Sequence, residues 1–138
     1  MLAKIRSEAP DQIETAQIDV TCPDAPDKLA ELIDRVGGRD VFLLSSGIGS
    51  QNRNLNSDIE LSTVQTNTVG FTQMVISAYD YFKKHGSGQL AVISSIAGTK
   101  GLGAAPSYSA TKRYQKTYNA TLALLAQKEK LPNVIPDI

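Results

Sequence analysis

The 138 residues carry 14 basic and 14 acidic side chains, and this formal charge of zero offers neither a nucleic-acid footprint nor a polybasic membrane patch. No apolar run approaches the ~20 residues of a membrane span, and the opening MLAKIRSEAP is too short and too polar for a signal peptide. The one cysteine, Cys22, excludes an internal disulfide framework and fits a cytoplasmic, reducing setting, and no His/Cys cluster has metal-ligand spacing.

The length suits one domain with a core of its own, spanning residues 1–138. Leu2, Ile5 and Ala9 read as the last turns of a helix ending before Pro10. Ile13 to Val20 is a strand candidate with weak alternation. Asp24 to Gly37 reads as a helix, with Asp24 or Ala25 at its cap, Pro26 in the first turn and Gly37 just past its end; Leu29, Leu32, Ile33 and Val36 share one face. Asp40 to Leu44 is an apolar strand, followed by SSGIGS from Ser45 to Ser50, where Gly47 and Gly49 let a ligand approach the backbone. The run GIGS is not by itself a dinucleotide fingerprint.

From Ser57, a cap with Glu60 three residues on, a long helix is expected to about Lys84. Leu61, Val64, Thr68, Phe71, Val75, Ala78 and Phe82 form its stripe, and Val69 and Ile76 off that stripe imply a second contact. Gly70 inside it costs roughly 1 kcal/mol relative to alanine and suits close packing or a kink near Asn67. His85 follows Lys83 and Lys84 at the helix end, where cations suit the dipole. Gln89 to Ser95 reads as a sheet-centre strand, and a loop with Gly98, Gly101 and Gly103 turns at Pro106 into a helix from Ser107 to about Glu129. Tyr114, Tyr118, Leu122 and Leu125 form an apolar stripe there, read as core or interface, and LPNVIPDI leads towards a next strand. Alternating strands and helices predict an α/β fold with a parallel sheet flanked by helices.

Tyr108 and Lys112 are four apart and share a helix face. A lysine ammonium beside a phenol favours the phenolate, which brings its pKa from ~10 towards the range useful for general acid/base work. Ser95, at the preceding strand end, is placed to hydrogen-bond a substrate carbonyl or alcohol, with Ser94 its local rival.

Ser95, the YSATK run from Tyr108 to Lys112, and Asn67 in TVQTNTVGF resemble, in order and spacing, the Asn-Ser-Tyr-Lys tetrad of short-chain dehydrogenases/reductases. The resemblance covers nearly the whole chain and implies a Rossmann-type doubly wound sheet, here incomplete at both ends. It implies NAD or NADP as cofactor, interconversion of a small-molecule carbonyl and alcohol, and a homodimer or homotetramer packed through the two long helices. It assigns Tyr108 the substrate proton, Lys112 the tyrosine pKa and the nicotinamide ribose, Ser95 the reacting oxygen, and Asn67 a water that relays protons to the lysine. Asp19 and Val20 would hold the adenine edge. Leu44, Ser45, Ser46 and Gly47 stand where the family has an Asn-Asn-Ala-Gly turn against the cofactor, so only the glycine is retained. The family's glycine-rich turn onto a helix N-terminus, which cradles the pyrophosphate, has no counterpart in these residues.

Two other functions compete with an oxidoreductase. One is a structural or interaction fragment assembled through the long helices and lacking catalysis. The other is a hydrolase, since Ser109 to Lys112 also spells Ser-x-x-Lys, although neither a Ser-Asp-Asn nor a Lys-Thr-Gly companion accompanies it.

Overall fold

Three short strands form a parallel sheet, and the middle strand in sequence is also the middle one in space. In a computed structural model of the chain, residues 7–8, 12–131 and 134–137 are described. Their elements are α1 (Ala25–Arg35), β1 (Val41–Leu44), α2 (Ser57–Val64), a π-helical segment (Gln65–Gly70), α3 (Phe71–His85), β2 (Gly88–Val92), a 3₁₀ turn (Ile96–Gly98), α4 (Pro106–Lys128) and β3 (Val134–Asp137). Strand β2 pairs on one side with β1, Leu44 opposite Val92, and on the other with β3, Gly88 opposite Val134. The expected sheet-centre strand and the strand led into by LPNVIPDI are therefore both present.

The core lies between the sheet and the helices that cross it. Leu44, Leu90, Val92 and Val134 meet Phe71, Val75, Ala78 and Phe82 of α3, with Leu29 and Ile33 of α1 and Leu122 and Ala126 of α4 closing the sides. Gly88 turns with φ +151°, and a Cβ there would lie 1.9 Å from the Phe82 ring, so glycine lets this ring cover the strand's start. At the other end of the helix the left-handed Gly86, φ +76°, stops α3 after the basic run Lys83, Lys84, His85.

Several expectations are corrected. Residues 13–19 carry no strand assignment, because no neighbouring strand among the described residues pairs with them. Strand β1 is an edge with Val41 and Leu43 turned outwards, 53% and 57% exposed. The long helix starts at Ser57, but its cap is Asn56, whose side chain accepts from the amides of Asp58 and Ile59. Asp24 caps α1 without a side-chain bond and pairs instead with Lys28. Val36, Leu61 and Val64 are exposed although they fall on expected apolar stripes. Leu2, Ile5 and Ala9 lie outside the described residues.

The long helix is interrupted at Asn67. Six residues widen into a π turn, and Gly70 ends it pressed against another segment: a Cβ there would sit 2.7 Å from the Val20 carbonyl oxygen. Gly70 thus serves the close packing, while its own φ of −58° and ψ of −44° are ordinary helical values.

Candidate active site

Strands β1 and β2 end side by side, and the loops that leave them face the first turns of α4. Between them lies a cleft of about 420 Å³, walled by Ser45, Gly47 and Gly49 after β1, Ile93 and Ser94 after β2, and Tyr108 and Lys112 on α4. The position, outside the carboxyl ends of parallel strands, is where open α/β sheets bind ligands.

Helix α4 is set by polar contacts. The Glu60 carboxylate of α2 accepts from the Ser107 amide at 3.0 Å, so an acidic group meets an otherwise orphaned N–H at the positive end of the helix. Glu60 also accepts from Asn52 Nδ2 at 2.7 Å, which ties in the segment ahead of α2. On the sheet side, Gly98 lets the 3₁₀ turn lie against α4: a Cβ there would sit 2.9 Å from the Lys112 carbonyl oxygen.

Tyr108 is half-buried and lies over Gly49, where a Cβ would come within 2.3 Å of the ring. Lys112 is only 5% exposed, and its Nζ sits 5.9 Å from the Tyr108 ring centroid. The ammonium donates to the Ile93 carbonyl and to Gln115 Oε1, each at 3.0 Å. An ammonium has three donors, so one is left for the cleft that Lys112 lines. Burial pushes the Lys112 pKa below its ordinary value of 10.5, and the Tyr108 oxygen acts in the opposite sense.

Asn67 lies behind the cleft, fully buried in the π turn. Its Oδ1 accepts from the Ile48 amide at 2.9 Å, and its Nδ2 donates to the Ile48 carbonyl at 2.7 Å and to Thr111 Oγ1 at 3.1 Å. One side chain therefore fastens the loop after β1 to the helix that carries Tyr108 and Lys112. The turn that lacks the family's asparagines is pinned from α2–α3 instead. A Cβ on Gly47 would lie 3.3 Å from Asn67 Oδ1 and 3.6 Å from Lys112 Nζ, so the backbone here passes close to both.

Ser95 does not line this cleft. Its Oγ accepts from the Ala97 amide at 3.2 Å, capping the 3₁₀ turn, and it borders a separate cleft of about 230 Å³ with Ile96, Thr99 and Lys116. Strand β2 ends at Val92, so its alternation no longer governs which way Ser95 points. Ser94 borders both clefts, and its buried Oγ has no hydrogen-bond partner among the described residues. Ser45 lines the Tyr108 cleft, whereas Ser46 is exposed and not on its wall.

Asp19 and Val20 are not brought to the cleft either. Asp19 accepts from the Thr21 amide at 2.9 Å and from Thr21 Oγ1 at 2.7 Å, and these bonds, the backbone one first, hold its carboxyl below the usual value. The Val20 carbonyl accepts from Gln73 Nε2 at 2.5 Å and packs on Gly70. The Ser-x-x-Lys pair is split: Ser109 Oγ accepts from the Leu102 amide and borders a different cleft, of about 640 Å³, from the one Lys112 lines. That geometry offers no nucleophile and base side by side.

Sequence reasoning missed Gln115 and Thr111. Ser107, Thr111, Gln115 and Asn119 recur every four residues and are all buried, which makes the inward face of the first half of α4 polar. The signal was their shared period with Tyr108 and Lys112. Of the apolar stripe read instead, Leu122 is buried and Tyr118 half-buried, while Tyr114 and Leu125 are exposed.

The profile of the family described as short chain dehydrogenase matches residues 1–135. The chain belongs to the short-chain dehydrogenase family. An oxidoreductase of Mycobacterium tuberculosis, itself uncharacterised, is 35% identical over 115 residues, covering 80% of this chain and 46% of its own length. Another from Myxococcus xanthus is 26% identical over 113 residues, covering 80% and 45%. This short-chain dehydrogenase thus spans about half the length of the curated relatives it matches. A short-chain dehydrogenase of Streptomyces avermitilis superposes with a TM-score of 0.86 at 22% identity, over 99% of this chain and 50% of that one. ElxO, solved with NADP bound, gives 0.82 at 20% identity over 91% and 54%. These structures establish a Rossmann-like fold, into whose strand-end cleft Tyr108 and Lys112 project.

Proposed function

We propose that the chain is the catalytic portion of a cytoplasmic NAD- or NADP-dependent oxidoreductase that interconverts a small-molecule carbonyl and an alcohol. The observation that carries this reading is the buried Lys112 ammonium, which keeps one donor at a strand-end cleft beside the Tyr108 ring. Family membership and the NADP seen in ElxO support it.

The residues present fit the nicotinamide end of a dinucleotide. Gly47 leaves the backbone bare beside Lys112, and the spare donor of Lys112 suits a ribose hydroxyl. The cofactor, when bound, supplies hydride transfer. The chain's own part is proton handling. Tyr108 gives its phenolic proton to the substrate oxygen during reduction and takes it back during oxidation, and the Lys112 charge stabilises the phenolate left behind. Asn67 holds the Ile48 loop and α4 at a fixed separation, and a strand-end serine, Ser95 or its neighbour Ser94, orients the reacting oxygen. Asp19, Val20, Ser45, Ser46 and Gly47 remain the proposed cofactor contacts. Exposed Val69 and Ile76, with Tyr114 and Leu124, suit packing of a homodimer or homotetramer through the two long helices.

Replacing Tyr108 by Phe in the complete protein is expected to reduce turnover by about 10²- to 10⁴-fold, the usual worth of a positioned general acid. Unchanged turnover would remove Tyr108 from the chemistry.

A further inference from the structure

We propose that Gln115 is a positioning residue for this reaction, whose side-chain amide ties the Lys112 ammonium to the π turn that carries Asn67. The inference rests on the oxidoreductase reading above. Gln115 is 1% exposed and lies one turn beyond Lys112 on α4. Its Oε1 accepts from Lys112 Nζ at 3.0 Å, and its Nε2 donates to the backbone carbonyl of Asn67 at 2.9 Å. Both ends of the amide are therefore engaged, and each partner belongs to the proposed machinery. A helical carbonyl ordinarily accepts from within its own helix, and widening into a π turn alters that ladder beside α4. The amide orientation follows from the partners: only the carbonyl end can accept from an ammonium, and only the NH₂ end can donate to a carbonyl.

Two effects follow. The first is geometric: Lys112 is held between Ile93 of the strand end and Gln115, so its remaining donor points consistently at the cleft. The second is electrostatic: Gln115 contributes an acceptor that favours the charged lysine without a carboxylate that would pair with it outright. The groups around Lys112 Nζ are the Ile93 carbonyl after β2, Gly47 of the first loop, and Tyr108 and Gln115 of α4. Tyr108 alone among them titrates. Gln115 thus sets the range in which the Lys112 charge can support the Tyr108 phenolate.

The test uses the complete protein labelled with ¹³C at lysine Cε, with the Lys112 resonance assigned by its loss in Lys112→Met. Gln115→Met keeps the length and removes the acceptor, and is expected to lower the Lys112 titration midpoint by about one pH unit, the scale of one hydrogen bond to a charged group. Gln115→Glu keeps the acceptor and adds charge, and is expected to raise it. The alkaline limb of the kcat profile should move in the same directions. If both variants fold and the Lys112 midpoint stays put, the proposal is overturned. Should Gln115→Met not fold, the midpoint in Gln115→Glu decides alone. The titration needs no turnover, so midpoints that move while Tyr108→Phe stays fully active would refute the oxidoreductase roles and leave the Gln115–Lys112 coupling standing.

Discussion

A lysine is engaged at each end of α4, Lys83 of α3 at the far end and the helix's own Lys112 at the cleft end, and the two lysines are treated in opposite ways. At the far end, Lys83 meets the Glu129 carboxylate at 2.5 Å, on the surface, with Tyr79 donating to the other oxygen of Glu129 at 3.0 Å. At the cleft end, Lys112 is buried and, among the described residues, donates only to neutral oxygens, those of Ile93 and Gln115. A surface pair of opposite charges is screened and contributes little beyond local order. A buried ammonium with neutral acceptors stays desolvated and tunable, so small changes around it move its titration. The difference teaches where to look for chemistry: the informative lysine is the one without a carboxylate.

The largest expected separation between these ends is in turnover. Lys112→Met in the complete protein should lower kcat by about 10²-fold or more, while Lys83→Met should leave it within about twofold, as befits a screened surface pair. Equal losses would mean that the two lysines have been wrongly distinguished. A middle-sized effect is expected at the π turn. Gly70→Ala drives a Cβ to 2.7 Å from the Val20 carbonyl oxygen, and should cost roughly 1–3 kcal/mol in denaturant unfolding, the range for overpacking a tight site. A neutral outcome would show that the Val20 segment moves aside and that the packing does not require glycine there.

The smallest effect belongs to the far end and appears only in alkali. Burial first, and then the hydrogen bond to Glu129, push the Tyr79 pKa from 10.0 to about 12. A folded-state pKa above the unfolded value means the contribution is fully present below pH 10 and fades as the pH rises through about 12. Thermal unfolding of Tyr79→Phe against the parent should therefore show a gap that shrinks across this window. A gap that widened there would contradict the packing of Tyr79 against Glu129.

Much of the fold was legible in the chain. The run LAV between glycines, the Pro26 and Gly37 punctuation of α1, and the stripe Phe71, Val75, Ala78, Phe82 all emerge as strand, helix and core. What misled was local likeness without its partner. Ile13 to Val20 read as a strand, yet a strand needs a neighbour to take its hydrogen bonds, and none among the described residues pairs with it. Leu61 and Val64 share the period of Phe71, but the π turn after them shifts the phase by which the stripe meets the core. Ser95 was read from its place at the strand end, and among the described residues its hydroxyl accepts from the Ala97 amide of a 3₁₀ turn that the sequence pattern did not announce.

By itself, then, the sequence determined the order of elements, the Tyr108–Lys112 pair on one helix face and the family to which they belong, because periodicity and i,i+4 spacing are local properties of the backbone. Only the tertiary structure decided which polar groups are stripped of water. Asn67 and Gln115 lie 48 positions apart and look like ordinary polar helix residues, and their meeting around Lys112 depends on how the π turn packs against α4. Burial depends on what lies opposite, and no window of neighbouring residues contains that.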